Sequence, residues 1–300
     1  MKILITGSKG QLGKQLISNI PKKLNGEKIE IIAAHRDLFS LENLKTCRDF
    51  LKDRNPNWVI NAAAYTDVEK AEIDKSQAKI INGIAPKVIA EEVHKNGGKL
   101  LHISTDYVFD GKQNFAYKTN QKRNPINYYG KSKCIGEENI ESVFKDSQNG
   151  IILRTSWIIG DTGNNFLISI LNLLKKGKDL KIISDQIGAP TNSNNLAKIC
   201  WNIIDRFESG IAIPKTLHWC DAGIASWYDI AQSISEISQR YGIIIKSPSI
   251  MPINSSQYPA KADRPKFSLL DCKLTTEVLN LQQIYWKKGI ENSLKNILKS

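Results

Sequence analysis

The first thirteen residues, MKILITGSKGQLG, place a short apolar run directly before three glycines. Ile3–Ile5 has the largely β-branched character of a buried strand, and Gly7, Gly10 and Gly13 follow it. A pyrophosphate needs a side-chain-free turn at a helix N-terminus, where free N–H groups and the helix dipole favour an anion. Gly7 permits the turn, Gly10 lets the phosphates approach, and Gly13 lets the helix pack on the sheet. This opening predicts an α/β fold that binds a dinucleotide through Gly7, Gly10, Gln11, Leu12 and Gly13, and a merely structural glycine turn is the alternative interpretation.

The end of the second expected strand bears on the choice of cofactor. Glu30–Ala34 is that strand, and His35 and Arg36 follow it. An acid at this point accepts hydrogen bonds from the ribose of NAD, whereas a cation favours the 2′-phosphate of NADP. Arg36 therefore favours NADPH over NADH, although a solvated surface arginine is the competing interpretation. Asp37 and Leu38 are expected beside the adenine.

Small residues follow the third expected strand. Trp58–Ile60 is apolar and runs into Asn61 and then Ala62, Ala63 and Ala64. Small side chains at the carboxyl end of a strand let a flat cofactor approach the backbone, so these alanines are expected in the cofactor site. The alternative is a helix N-terminus in an alanine-rich stretch. Further helices are expected over 41–51 and 74–95, the latter kinked or broken at Pro86.

The next expected strand ends in hydroxyl side chains, and a tyrosine and a lysine follow on a helix. Ser104 and Thr105 end the strand, where a hydroxyl reaches a bound ligand or merely caps the turn. Tyr129 and Lys133 are four residues apart and share one helical face. A neighbouring ammonium lowers the pKa of a phenol, so this pair is expected to supply acid–base catalysis. Tyr128 has no lysine at the same spacing and is interpreted as a packing residue.

Bulk composition excludes several classes of protein. The net charge of +12 comes from lysines spread along the chain without a nucleic-acid-binding motif, so no nucleic-acid partner is expected. Five scattered cysteines and four histidines lack metal-ligand spacing, and we expect no metal and no disulfide framework. No apolar run has the length of a membrane span. A cytoplasmic enzyme without a membrane partner is the expectation.

The chain length suggests about two domains. We predict a dinucleotide-binding Rossmann domain, a doubly wound parallel sheet, over residues 1–160. A smaller α/β substrate-binding domain is predicted over 161–300, with part of 180–210 returning to the first domain. Beyond about Phe207 the apolar alternation is less regular, with a proline-rich run between Pro248 and Pro265 and a final helix near 288–298.

Taken together, these segments resemble the dTDP-4-dehydrorhamnose reductase family, a group of extended short-chain dehydrogenases/reductases, almost from end to end. The glycine turn is the least specific element of the resemblance. The motifs that carry it are NAAAYT at 61–66, STDYVF at 104–109, YGKSK at 129–133, RTSW at 154–157, GNNF at 163–166, DQIGAPT at 185–191 and RP at 264–265.

The resemblance implies a role for each matching residue. Tyr129 would be the proton donor, Lys133 its cofactor-bound partner, and Thr105 a hydroxyl that polarises the substrate carbonyl. The substrate, a nucleotide-diphosphate sugar, would contact Ser104, Thr105, Asp106, Trp157, Asn165 and Arg264. Some members form a metal-bridged dimer through acidic residues, one of them in the first helix. This chain has Gln15 there, and we expect a monomer or a homodimer without metal.

Four activities share these features. The resemblance implies NAD(P)H-dependent reduction of the C4 ketone of dTDP-4-dehydro-L-rhamnose. The alternatives are a nucleotide-sugar epimerase or dehydratase, a reductase of another nucleotide 4-ketosugar, and a non-catalytic NADP-binding regulatory subunit. Tyr107 stands where a dehydratase is expected to have a glutamate. The intact pair of Tyr129 and Lys133 argues against the regulatory subunit.

Overall fold

The computed structural model describes residues 1–299, in which strands and helices alternate along most of the chain. The strands are β1 Lys2–Thr6, β2 Glu30–Ala34, β3 Trp58–Asn61, β4 Lys99–Thr105, β5 Gly150–Thr155, β6 Ile158–Ile159, β7 Leu180–Ile183, β8 Ile187–Gly188, β9 Thr191–Asn192, β10 Thr216–Trp219, β11 Ala225–Ser226 and β12 Ile250–Ile253. The α-helices are α1 Gln11–Ser18, α2 Leu44–Arg54, α3 Val68–Ala71, α4 Lys75–Lys79, α5 Ala85–Lys95, α6 Tyr128–Val143, α7 Phe166–Lys175, α8 Ser193–Glu208, α9 Trp227–Arg240, α10 Lys273–Leu279 and α11 Trp286–Lys299.

A six-stranded parallel sheet in the order β10-β5-β4-β3-β1-β2 forms the centre of the molecule. The strand β2 lies on one side of β1 and β3 on the other, so the direction of winding reverses there. In open α/β sheets a ligand binds beside such a switch point, outside the carboxyl ends of the strands. The expected α/β fold with a doubly wound parallel sheet is confirmed, and its first glycine turn lies at this edge.

Helices cover both faces of the sheet because its strands alternate between two apolar layers. Ile3 and Ile5 of β1 pack in one buried cluster with residues of α1 and α8. Leu4, between them, packs in a second cluster with residues of α2 and α5. This alternation follows from the two-residue period of a strand, and it fixes both helical layers on the sheet.

A further apolar cluster lies in the C-terminal half and joins α7, α9 and α11. Beside it, β7 and β12 pair in parallel as a two-stranded sheet. Between these elements, α8 packs on α1, and β10 pairs with residues Ile152–Thr155 of β5. The domain boundary expected near residue 160 stays a prediction. Within residues 193–219, α8 packs on the central sheet and β10 forms its edge strand.

One strand was not predicted from the sequence, and the helix expected over 74–95 is interrupted, as expected, close to Pro86. The sequence analysis missed β10, which forms the outer edge of the central sheet. The helix expected over 74–95 consists of α4, a π-helical turn at Ile80–Ile84 and α5. Pro86 lies in the first turn of α5, where its missing N–H costs no helical hydrogen bond.

In the part of the chain that the structure describes, no helix combines the length and the apolarity that crossing a bilayer requires.

Candidate active site

The glycine turn after β1 has the close packing that a dinucleotide site needs. Gly7 adopts a φ of 63°, and a Cβ there would lie 3.0 Å from the Cα of Ala63. A Cβ on Gly13 would lie 2.1 Å from the carbonyl oxygen of Gly7, so only glycine lets α1 approach the turn this closely. Gly10 caps α1 without a side-chain hydrogen bond, and the first turn of the helix contains no acid. The N–H groups at the start of α1 therefore remain available to an anion.

One cavity of about 1120 Å³ runs along the carboxyl edge of the sheet from this turn to the start of α6. Most of the expected site residues line it, although they come from distant parts of the sequence. They are Gly7, Gly10, Gln11, Leu12, Arg36, Asp37, Ala62, Ala63, Ala64, Ser104, Thr105, Tyr129, Lys133, Trp157 and Asn165.

Four expected residues lie outside the cavity lining. Gly13 acts through helix packing, as described above. Leu38 is 52% exposed and does not line the cavity, and its place beside the adenine stays a prediction. Asp106 is buried behind Thr105, and Arg264 lies on the loop before α10. The structure thus does not bring Leu38, Asp106 and Arg264 into the cavity with the others.

The end of the cavity beside the glycine turn and the end of β2 is lined by mixed charges. Arg36 is mostly exposed and forms an ion pair with Glu42. Asp37 lies 3.1 Å from Nδ1 of His35 and 3.8 Å from Nζ of Lys9. Sequence reasoning missed Lys9 and Glu42, although Lys9 stands inside the glycine turn. The pair with Glu42 leaves the guanidinium of Arg36 at the surface, where a phosphate can reach it.

Helix α6 starts close to the end of β4 because of two local features. The side chain of Asn127 caps the helix by accepting a hydrogen bond from the N–H of Gly130 at 2.8 Å. A Cβ on Gly130 would lie 2.2 Å from the carbonyl oxygen of Tyr107. Glycine at this position therefore lets the first turn of α6 pack against the turn that follows Thr105, and Tyr129 lies beside it.

The structure overturns the expectation that Lys133 lowers the pKa of Tyr129. Desolvation raises the pKa of Tyr129 to about 12, with a smaller contribution from the charge of Asp106, and the hydroxyl of Thr105 opposes the shift. The ammonium of Lys133, at the floor of the cavity, donates a hydrogen bond to the carbonyl oxygen of Ile103 at 2.7 Å. At neutral pH, Tyr129 is consequently a protonated phenol, which suits a proton donor.

Lys133 itself is buried, and only 1% of it is exposed. Burial lowers its pKa to about 8, and the charge of Glu137 opposes this shift. A lysine with this pKa is still largely charged near neutral pH. The cation therefore lies at the floor of the cavity, on the same face of α6 as Tyr129.

A buried ionic cluster, which the sequence analysis missed, holds α6 on β4 and β5. Glu137 accepts hydrogen bonds from Ser104 at 2.5 Å, from Arg154 at 2.7 Å and from Arg123 at 2.9 Å. Both arginines hold the pKa of Glu137 below its usual range in spite of burial. The available signal was the spacing of Tyr129, Lys133 and Glu137 at four-residue intervals, which puts all three on one helical face.

The opposite wall of the cavity contains a pair of stacked indoles. Trp157 adopts a φ of 46°, which is uncommon for a bulky residue, and its ring stacks on Trp227 at 3.9 Å. A Cβ on Gly188 would lie 2.9 Å from the Trp157 ring, so glycine leaves space for this indole. The indole N–H of Trp227 donates to Gln186 at 3.2 Å. These contacts fix the orientation of Trp157 at the cavity.

The amide of Asn165 is already used by the protein. Its Oδ1 accepts a hydrogen bond from the N–H of Ile168 and caps α7, while Nδ2 donates to the carbonyl oxygens of Gly160 and Thr162. A direct hydrogen bond from Asn165 to a substrate would replace one of these bonds. Its contact with the substrate stays a prediction.

Arg264 and Asp106 lie next to the cavity. The guanidinium of Arg264 is 2.6 Å from Glu69 of α3, and Glu69 also accepts the N–H of Lys261 at 2.7 Å. Asp106 accepts the hydroxyl of Thr105 at 2.9 Å, and burial raises the pKa of Asp106 to about 6. The pair with Glu69 thus fastens the Arg264 loop to α3.

Comparisons with known proteins identify similar sequences and similar folds. Residues 1–299 match the family described as the RmlD substrate binding domain. The dTDP-4-dehydrorhamnose reductase of Aggregatibacter actinomycetemcomitans is 33% identical over 292 residues, which cover 97% of each chain. A crystal structure of a dTDP-4-dehydrorhamnose reductase from Clostridium acetobutylicum has a TM-score of 0.88 at 34% identity and covers 100% of both chains. A structure from Bacillus anthracis, in complex with NADP, has a TM-score of 0.86 at 30% identity and covers 98% of this chain and 99% of its own.

Proposed function

Because this chain belongs to the dTDP-4-dehydrorhamnose reductase family, we propose that it reduces the C4 ketone of dTDP-4-dehydro-L-rhamnose to dTDP-L-rhamnose. The observation that carries the proposal is one cavity lined by the glycine turn at one end and by Thr105, Tyr129 and Lys133 at the other. A dinucleotide-binding turn and an acid–base pair in the same cleft are what reduction of a ketone requires.

NADPH is the proposed cofactor, and it supplies the hydride when bound. The turn at Gly7 and Gly10 would hold the pyrophosphate at the N-terminus of α1, where no side chain blocks the approach. Arg36 would pair with the 2′-phosphate and Asp37 would lie beside the adenosine. Lys133, with its ammonium at the floor of the cavity, would hold the nicotinamide ribose.

Tyr129 is the proposed proton donor. As a carbonyl is reduced, its oxygen develops alkoxide character and becomes a stronger base than a phenolate. A phenol with a pKa of about 12 keeps its proton at neutral pH until that charge develops, and can then release it to the oxygen. Thr105, at the end of β4, would donate a hydrogen bond to the same oxygen and stabilise the charge.

The substrate is proposed to lie between this pair and Trp157. The stacked indole would offer an apolar face to the sugar, and Ser104 would lie beside Thr105 and Asp106 behind it, next to the carbonyl group of the substrate. Arg264 suits a diphosphate because its planar fork can pair with two oxygens. Since Arg264 pairs with Glu69, binding of the diphosphate would exchange one anionic partner for another.

An absorbance assay of NADPH and NADH oxidation with a panel of nucleotide 4-ketosugars tests the proposal. We expect turnover with dTDP-4-dehydro-L-rhamnose, one equivalent of NADPH consumed for each ketone reduced, and a preference for NADPH. Retention of cofactor with no net oxidation would indicate an epimerase. Turnover only with a different nucleotide 4-ketosugar would reassign the substrate and keep the reductase chemistry. Cofactor binding with no turnover of any ketosugar would favour a regulatory subunit.

A further inference from the structure

A chain of buried polar side chains runs beneath the cavity, starting at the ammonium of Lys133. Its Nζ lies 2.7 Å from the carbonyl oxygen of Ile103 and 3.1 Å from Nε2 of His102. His102 is fully buried in β4 and does not line the cavity. The proposed mechanism gives this histidine no part, although it contacts the ammonium of Lys133, one of the two residues of the catalytic pair.

The chain continues across the two neighbouring strands. Nδ1 of His102 is 3.0 Å from the side-chain amide of Asn61 in β3, and Asn61 is 2.7 Å from the hydroxyl of Thr6 in β1. The Thr6 hydroxyl accepts the N–H of Ala63 at 3.1 Å. His102, Asn61 and Thr6 are all 0% exposed. A continuous line of contacts therefore links Lys133 to the alanine segment that lines the cofactor cleft.

Donor and acceptor capacity determines the protonation of His102. A charged ammonium has three hydrogens and no lone pair, so Nε2 of His102 must accept. Burial and the charge of Lys133 lower the pKa of His102 well below its usual value, and the ring is neutral. A neutral ring with a free Nε2 carries its proton on Nδ1, which requires the amide oxygen of Asn61 as acceptor. Rotation of the Asn61 amide by a half-turn exchanges its oxygen and nitrogen and leaves the other heavy atoms in place. The oxygen then accepts a hydrogen bond from Nδ1 of His102, and Nδ2 donates one to the hydroxyl of Thr6.

We propose that His102 is a positioning residue for Lys133. The imidazole, held by Asn61, accepts a hydrogen bond from the ammonium at Nε2, and the carbonyl oxygen of Ile103 accepts a second one. The third hydrogen is left for the cavity side, where Lys133 meets the cofactor. This inference rests on the proposed function for its kinetic consequence, while the hydrogen-bond assignment stands on the buried contacts alone.

Three variants separate positioning from simple core packing. His102→Leu fills the space but removes the acceptor, whereas His102→Gln offers an amide oxygen near the position of Nε2. Leu217→Ala is the control for core packing, because Leu217 is also fully buried in the central sheet, on its edge strand β10, and does not line the cavity. Thermal unfolding, the Kd for NADPH from its fluorescence, kcat and KM are measured for each variant.

The expected pattern is a split between stability and catalysis. We expect His102→Leu to lose about 10- to 100-fold in kcat/KM and to bind NADPH more weakly, because a buried ammonium hydrogen loses its acceptor. His102→Gln should recover kcat/KM to within about threefold of the wild type. Leu217→Ala should lower Tm but leave kcat and KM unchanged. Wild-type kinetics and NADPH affinity in His102→Leu, with only a loss of Tm, would overturn the proposal.

A spectroscopic measurement keeps the proposal falsifiable if a variant does not fold. In the full-length wild-type protein labelled with ¹⁵N-histidine, the resonances of His102 are identified by their loss in His102→Gln or His102→Leu. We expect a neutral ring with the proton on Nδ1 and none on Nε2. A proton on Nε2 would refute the assignment. If the wild type fails to oxidise NADPH with any ketosugar, the proposed function falls, while the NMR and NADPH-binding results still decide the role of His102.

Discussion

The guanidinium of Arg154 and the carboxylate of Glu137 form a two-pronged ion pair, with Nε to Oε1 at 2.9 Å and Nη2 to Oε2 at 2.7 Å, one helical turn beyond Lys133. Glu137 is 0% exposed and Arg154 is 2% exposed. Such a pair adds little net stability, because the cost of burying two charges offsets the attraction between them. Removal of one partner, however, leaves the other charge buried without compensation. The pair consequently ties α6 to β5 and sets the depth at which Tyr129 and Lys133 face the cavity.

We expect Glu137→Gln to lower the free energy of unfolding by about 3–5 kcal/mol, because Arg154 loses its buried counter-ion. Urea denaturation measures this loss. Glu141→Gln is the control, since Glu141 bonds the same Arg123 but is 38% exposed, and its loss should cost less than about 1 kcal/mol. Equal losses for the two variants would show that burial of Glu137 carries no special weight.

Tyr129→Phe should reduce kcat by about 10²- to 10⁴-fold while the Kd for NADPH changes little, because the variant keeps the ring and removes only the hydroxyl group that donates the proton. Steady-state kinetics and a fluorescence titration with NADPH provide the two measurements. Tyr128→Phe is the neighbouring control and should retain wild-type kcat. If Tyr129→Phe retains turnover, the proton comes from another group and the proposed role of Tyr129 is wrong.

Cofactor preference should depend on Arg36. The variant Arg36→Asp is expected to lose about 10- to 100-fold in kcat/KM with NADPH and to lose little with NADH, since only the 2′-phosphate needs the cation. Glu42→Gln releases Arg36 from its ion pair and should strengthen NADPH binding modestly. Equal losses with both cofactors in Arg36→Asp would indicate that Arg36 does not contact the 2′-phosphate.

Much of the cofactor end of the site could be predicted from sequence because its signals are local. Gly7, Gly10 and Gly13 lie close together in the chain, at the turn and the start of α1. An apolar strand precedes Ala62, and Ser104 lies near the end of another. The spacing of Tyr129 and Lys133 likewise places them on one helical face without any knowledge of the fold. All but Gly13 line the same cavity.

The contacts that the sequence did not reveal join residues that are far apart in the chain. Glu137 meets Arg154, Lys133 meets His102, and Arg264 meets Glu69, and in each case a charged residue could equally be a solvated one. The strand β10 has only four residues and gains its stability from pairing with β5, which a local pattern does not contain. The expected pKa of Tyr129 was wrong for a related reason, since desolvation depends on tertiary packing.

A buried carboxylate outside the cavity should make stability depend on pH. Asp221 is 2% exposed and accepts the N–H of Asn192 at 3.0 Å and the amide of Asn195 at 3.2 Å. Burial raises the pKa of Asp221 from 3.8 to about 7, and these hydrogen bonds oppose the shift. The folded protein thus binds this proton more readily than the unfolded chain. Stability is therefore lost as the pH rises from about 4 to about 7, and the penalty is complete above pH 7 and disappears below about pH 4.

Asp221→Asn removes the charge and keeps an oxygen that can accept the N–H of Asn192. We expect the variant to be more stable than the wild type by about 2–4 kcal/mol at pH 8 and nearly equal to it at pH 3.5. Urea denaturation of both proteins at the two pH values measures the difference between their free energies of unfolding. Because all other groups are common to the two proteins, their titration cancels in this difference. Asp146→Asn, at an exposed position, should show no such change with pH. A difference between Asp221→Asn and the wild type that is the same at both pH values would mean that Asp221 titrates alike in the folded and unfolded states, and that its burial does not disfavour the charge.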